Sequence, residues 1–135
     1  MTTFLSKYRP QCYALMRIVV GFLFLWHGCQ KLFDFPAGMP AGVPAFITYV
    51  AGPIELVGGI LIMIGLFTHG AAFITSGLMA FAYWMAHGTK ALLPIQNNGE
   101  LAVVYCFIFL FIAAQGSGIW SIDALRGGSG KTPSD

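Results

Sequence analysis

The sequence predicts an all-α polytopic membrane protein, a single bundle of four transmembrane helices. Three observations carry that expectation. The chain is 57% hydrophobic and only 9% charged, far more apolar than a soluble domain of 135 residues needs. Four apolar stretches are each long enough to cross a bilayer, and glycines recur at sevenfold spacing inside them.

Crossing the hydrocarbon core takes roughly 20 apolar residues, with about 17 as the lower limit. The first stretch, Cys12 to Lys31, is apolar apart from Arg17, His27 and Gln30. The second, Phe46 to Phe67, carries one charge, Glu55. Gly70 to Ala86 carries none, and Glu100 to Gly118 is polar only near its ends, at Glu100 and Gln115. Between them lie the Pro- and Gly-rich segment Asp34 to Ala45, a turn at Thr68-His69-Gly70, and His87 to Gly99 with Pro94 and Asn97-Asn98-Gly99 as helix breakers.

The organisation expected is therefore an N-terminal segment over 1–11, a transmembrane domain over 12–126 and a disordered tail over 127–135. Phe4, Leu5 and Tyr8 suit the first segment to a short interfacial helix or a frayed end. The tail is rich in Gly, Ser and Lys. Its Gly130-Lys131-Thr132 is not a phosphate loop, because Leu125 stands where a glycine is needed and no helix follows. A cleaved signal at Gly28-Cys29 is rejected as well: Trp26 and His27 precede it where small residues belong.

Charge sets the expected orientation, since Lys and Arg stay on the cytoplasmic side. Lys7, Arg9, Arg126 and Lys131 flank the outer ends of the first and last spans, against Lys31 and Lys90 on the opposite face. Both termini are expected in the cytoplasm. The net charge of +2 is scattered, without the clustered basic face that nucleic acid binding requires, which excludes that class. Cys12, Cys29 and Cys106 sit in apolar runs without C-x-x-C spacing, so they read as buried fillers rather than a zinc or other metal site.

Membrane helices associate where small residues let backbones touch. Gly21 and Gly28, Gly52 and Gly59, Gly58 and Gly65, and Gly70 and Gly77 are each seven apart, nearly two turns, and should mark inward faces. In the first span Arg17, Gly21, Phe24, Gly28 and Lys31 share such a stripe; in the second Gly52, Glu55, Gly59 and Ile62 do. Leu23 and Leu61 fall on the outward faces.

A carboxylate within a membrane costs at least a few kcal/mol, so Glu55 needs a reason to be there. The topology brings His27, Lys31, Glu55, His87 and Glu100 into the outer half of the bundle, from all four helices. Glu55 and His27 are the candidate proton carriers. Each residue also has a plainer reading. Glu55 could be half of a structural ion pair with Lys31 or Arg17. Glu100 could close a capping box with Asn97, His27 could bond a carbonyl, and Lys31 could snorkel to the interface. His69 and His87 could be solvated at helix ends. Trp26, Tyr49, Tyr83 and Trp84 on one side and Tyr8, Tyr13 and Trp120 on the other fit interfacial belts, with a ring-stacking wall of a binding site as the alternative.

These residues, in this order and spacing, resemble the DoxX family of small four-helix membrane proteins. The resemblance runs from about Met16 to Leu125. It is carried by Arg17, Gly21 and Gly28 to Leu32, by Glu55-Leu56-Val57-Gly58-Gly59 and by Gly65-Leu66-Phe67-Thr68-His69. Asn98-Gly99-Glu100 and Gly116 to Asp123 complete it. Where family members often carry Arg after the Thr of the second turn, this chain has His69. The resemblance implies a bacterial inner-membrane protein acting as a quinone-interacting or accessory subunit of a thiosulfate- or thiol-stress-related redox system. Glu55 and His27 would then carry protons, Lys31 and Arg17 would be charge partners, and Glu100, His87, Trp26 and Trp84 would surround the ring. No covalently bound cofactor is expected, since the sequence has neither a paired axial-ligand pattern nor a four-cysteine set; the resemblance implies quinone as the ligand, and the lipid bilayer and membrane or soluble redox proteins as partners, with self-association left open. A non-catalytic scaffold and a small proton-linked transporter using Glu55 are the other two classes the sequence allows.

Overall fold

The structure, a computed structural model, describes residues 4–127; the three residues before them and most of the expected disordered tail lie outside the described residues. All of the regular structure among the described residues is helical. A 3-10 turn, Phe4–Tyr8, leads into α1 (Arg9–Phe33). Pro10 is accommodated in the first turn of α1, where a backbone N–H would have no helical partner. A π-helical turn, Ile47–Ala51, runs into α2 (Gly52–Ile64). Helix α3 (Thr68–Ala82) runs on into a second π-helical turn, Tyr83–Gly88. Then come the short α4 (Pro94–Asn97), α5 (Glu100–Gln115) and the short α6 (Ile122–Leu125).

The second turn lies earlier than the sequence suggested. Gly65 closes α2 in the left-handed region (φ 69°), Phe67 follows at φ 50°, and Thr68, His69 and Gly70 are already helical. The cause is remote in sequence. The Asp123 carboxylate accepts the N–H groups of Phe67 and Thr68 and the Thr68 hydroxyl, each at 3.0 Å, supplying partners for the orphan donors of α3. Helix α5 likewise stops at Gln115, because Gly116 leaves the helical region at φ 86°.

Two helical stretches, Phe4–Phe33 and Ile47–Ile64, are long and apolar enough to cross a membrane, and Glu100–Gln115 is apolar but shorter. Helix α1 packs chiefly on α2, α3 on α5, and α2 on α3. Phe24, Ile62, Phe109 and Ile112 form the fully enclosed centre. Large hydrophobic side chains are exposed along every long helix: Leu15 and Val19 on α1, Val57 and Ile60 on α2, Phe73 and Ile74 on α3, Phe107 and Phe111 on α5. Such a band suits hydrocarbon rather than water.

Glycines make the α1/α2 contact. A Cβ on Gly59 would sit 2.7 Å from the Leu25 nitrogen and 2.9 Å from the Gly21 oxygen, and one on Gly28 would overlap the Leu56 backbone. The two backbones are in direct contact. Gly70 and Gly77 are different, and the inward stripe expected for them is corrected: both are exposed and face open space. The buried face of α3 is Ala71, Ala72, Thr75, Ser76, Leu78 and Met79, so Ala, Thr and Ser are its small contact residues. Leu61 also departs from its expected outward position, packing against the core, whereas Leu23 is exposed. Cys12 is exposed and Cys29 and Cys106 are half-buried, so none of the three is the buried filler expected.

Candidate functional site

The two ends of the α1/α2 pair hold its charged side chains, and they are built differently. At one end Arg17, fully buried, donates through Nη1 to the carbonyls of Ile62 (2.6 Å) and Met63 (2.8 Å). Its Nη2 donates to those of Ile119 (3.4 Å) and Trp120 (2.7 Å). The first two acceptors are end-of-helix carbonyls of α2 at the negative end of the helix dipole, and that of Ile62 also accepts the Gly65 N–H at 3.2 Å. A guanidinium, with donors fixed in one plane, can bridge them to a second strand of chain. Gly65 is required beside it, since a Cβ there would meet Arg17 and Ser121.

Around this clamp several polar groups are tied to backbone, while Arg17 Nε itself is buried without a partner. Tyr13 donates its hydroxyl to the Gly116 carbonyl at 2.5 Å, and His69 Nδ1 lies 2.7 Å from the Ala113 carbonyl. Ser121 accepts from the Ala124 N–H. Asp123 is pulled in two directions. Burial works to raise its pKa, but the hydrogen bonds from Thr68 and Phe67 and the charge of Arg126 outweigh it and leave the carboxyl below the usual aspartate range.

At the other end Lys31 Nζ meets Glu55 Oε2 at 2.5 Å, with the two side chains 15% and 4% exposed. Gly28 and Gly52 allow the approach, the one touching Leu56 and the other Lys31 and Leu32. The second Glu55 oxygen has no hydrogen-bond partner among the described residues. A chamber of about 780 Å³ opens beside the pair. It is bounded by Phe24, His27 and Lys31 of α1, by Ile47 and Ala51 of the π-helical turn and Glu55 of α2, by the face of α3 and its extension that carries Leu78, Phe81, Met85 and His87, and by Leu101, Ala102 and Tyr105 of α5. The Tyr105 ring stands 5.2 Å from that of Phe24 and 5.9 Å from that of His27. The volume falls among those of small-molecule sites, and the wall is mostly apolar with a few convergent polar groups, as such sites are.

Of the residues singled out from sequence, His27, Lys31, Glu55 and His87 line this chamber. Four others do not. Arg17 lies about 21 Å along α1 from Lys31, so it is no charge partner of Glu55. Glu100 is exposed, and the capping box does not form: the Asn97 side chain accepts from the Gly99 N–H and donates to Tyr83 and the Ala91 carbonyl. Trp26 packs outside, between Phe22 and Phe35, and Trp84 is 66% exposed beside Tyr83. Both sit on the helix faces that look away from the bundle. The aromatic wall comes instead from Phe24, Phe46, Phe81 and Tyr105. Tyr105 was legible in principle, because it precedes Phe109 and Ile112 by four and seven residues, on the buried face of α5.

The DoxX family profile matches residues 13–88, which span α1 through the end of the second π-helical turn. The chain belongs to the DoxX family. This DoxX protein is 44% identical over 125 residues to an uncharacterized protein of Haemophilus influenzae, with 88% of this chain and 93% of that one covered. It is 30% identical over 114 residues to a Bacillus subtilis protein whose name is "Putative oxidoreductase CatD", covering 81% of this chain and 82% of that one. No solved structure is significantly similar to the chain.

Proposed function

We propose that this DoxX protein is a multi-pass inner-membrane protein that holds a quinone ring in the Lys31–Glu55 chamber, as a subunit of a membrane redox system. The observation that carries the reading is the chamber itself: a largely apolar space with room for a ring and part of a chain, into which a buried ion pair, an imidazole and a phenol converge. The exposed apolar bands on α1, α2, α3 and α5 support four spans, with Thr68–Gly88 acting as one. The excess of Lys and Arg at the chain ends supports cytoplasmic termini, which puts the chamber in the outer half of the membrane. The name of the Bacillus subtilis relative points to the same class of chemistry.

The chemistry follows from the groups. Reducing a quinone to a quinol adds two electrons and two protons. The chain supplies protons and position; the electrons come from a redox partner. Lys31 donates hydrogen bonds and neutralises charge, so a quinone oxygen beside it gains electron density at lower cost. Glu55, with one oxygen unpartnered, and His27, whose ring makes no hydrogen bond among the described residues, are the groups that can pass a proton. Tyr105 offers a further donor beside His27.

The test is purification in mild detergent, extraction of bound lipid-soluble cofactors, and titration of the depleted protein with a decyl-substituted benzoquinone. Retained quinone and saturable binding, lost in Glu55→Gln, are expected. No quinone retained and no binding would end the reading. Proton flux into vesicles without quinone would replace it with a transporter.

A further inference from the structure

The walls of the chamber are unequal, and the weak one faces outward. Between α1 and α5 it is shut by packed rings, with Phe24 and Phe109 centroids 4.7 Å apart and Tyr105 stacked on Phe109 at 5.5 Å. Between α1 and α2 it is shut by backbone contact at Gly28. Between α2 and α3 the contact is close only lower down, where Gly58 receives the Thr75 methyl. Above that level the π-helical turn Ile47–Ala51 packs on α1 and on α2 itself, and the chamber occupies the space that separates it from α3. An aromatic pair spans that gap: Phe46 and Phe81, edge to face, with centroids 5.6 Å apart. Both rings line the chamber, and both are nearly half exposed on the outer surface, at 44% and 47%. Met85, also a lining residue, is exposed beside them.

From this geometry we infer that the Phe46–Phe81 pair is a lateral portal to the lipid, and that the occupant of the chamber is a ring carrying a long apolar chain, which lies through the portal while the ring meets Lys31 and Glu55. The inference rests on the quinone reading and adds the ligand's shape and its route. The chamber encloses a ring and a short length of chain, so a longer chain must leave it. Phe81 lies about 10 Å along its helical stretch from the end at Gly88. An aromatic pair held by ring contacts alone is a light closure. The helical stretches on both sides of it contain π-helical turns, whose backbone bonding departs from the regular ladder and which recur at functional sites.

The experiment compares two probes in lipid nanodiscs, a decyl-substituted benzoquinone and the same ring bearing methyl in place of decyl, followed by quenching of tryptophan fluorescence. The proteins are the wild type, Phe46→Ala, Phe81→Ala and, as a variant that keeps apolar volume, Phe81→Leu. Phe73→Ala, exposed on α3 away from the chamber, is the control. The decyl probe is expected to associate and dissociate faster in both alanine variants, by up to about tenfold, the most that losing one ring pair allows. Phe81→Leu should lie between them and wild type, with the methyl probe accelerated less than the decyl probe, since its ring passes the portal but no chain lies in it, and the Phe73 control unchanged. If the decyl probe binds and its rates are the same in every variant, the portal is wrong and the quinone site stands. If both probes are accelerated alike, the chain does not lie in the portal and the assigned ligand shape is wrong. If neither probe binds any protein, the quinone reading fails first.

Discussion

Arg17 and Lys31 lie on the same stripe of α1, yet the ends of the molecule they occupy have opposite characters. The Arg17 end is dry and cross-tied: one guanidinium bonds four carbonyls of two segments, and Asp123 holds the start of α3. The Lys31 end has one ion pair, two π-helical turns and an open chamber with unpartnered polar groups. The difference teaches that a buried charge is not by itself a functional site. A cation whose two terminal nitrogens are bound to backbone carbonyls, with only its buried Nε left unpartnered, holds the chain together, whereas an ion pair with a free oxygen and space beside it has capacity left for a ligand.

That contrast is most easily broken at Arg17. Arg17→Leu leaves up to three carbonyls, those of Met63, Ile119 and Trp120, without donors, at about 1–3 kcal/mol for each one that water cannot reach, while that of Ile62 keeps the Gly65 N–H. It should cause the largest loss of any single substitution here, read as a collapse of the melting transition in detergent. A variant that melts like wild type would remove the Arg17 end's claim to be the anchor.

The helix contacts come next. Gly28→Leu and Gly59→Leu each push a side chain into the facing backbone and should destabilise by about 1–3 kcal/mol. Gly77→Ala meets nothing and should stabilise α3 by roughly 0.5–1 kcal/mol. Opposite signs in thermal denaturation are required; equal effects would mean that the contact faces are misassigned.

A matched pair of tyrosines sharpens the comparison further. Tyr13→Phe loses a hydrogen bond to the Gly116 carbonyl and should cost about 1 kcal/mol. Tyr105→Phe loses none among the described residues and should leave stability unchanged while weakening quinone binding. The reverse pattern would exchange the roles of the two ends.

The smallest effect is one of pH. Because the folded Asp123 carboxyl ionises below the usual aspartate range, the ionised form favours the fold. The stability it contributes is therefore complete above the unfolded pKa and is lost as pH falls through the folded one. Asp123→Asn should lower stability at neutral pH and flatten that acid decline. An unchanged slope would show that Asp123 does not hold the turn.

Much of this was legible in the chain. The 4-3-4-3 stripes identified the buried faces of α1 and α2, and with them the inward direction of Glu55, because a helix returns to one face every seven residues. The same rule failed for Gly70 and Gly77, since a glycine permits a close approach without requiring one. Thr68 was taken for a turn because its cap comes from Asp123, 55 residues away, beyond any local signal. Arg17 is offered by the sequence as an alternative ion-pair partner of Glu55, and by the resemblance as a charge partner of the site. Distance along α1 excludes it, and its acceptors are backbone atoms that no sequence pattern reveals. Trp26 and Trp84 looked suited to stacking, but the helix faces they occupy turn them away from the chamber.

The central claim is that the Glu55 carboxylate serves chemistry rather than packing, and Glu55→Gln tests it most directly. The amide keeps the size and the hydrogen-bonding capacity but can neither ionise nor carry a proton. The paired measurement is the melting temperature of the purified variant, and its rescue of a deletion strain of the source organism under thiol or oxidative stress. The account predicts a near-normal melting temperature with failed rescue. Full rescue by a normally folded variant would contradict it. So would a fold lost by about 3–5 kcal/mol, the cost of stranding Lys31 without its partner, since Glu55 would then be structural.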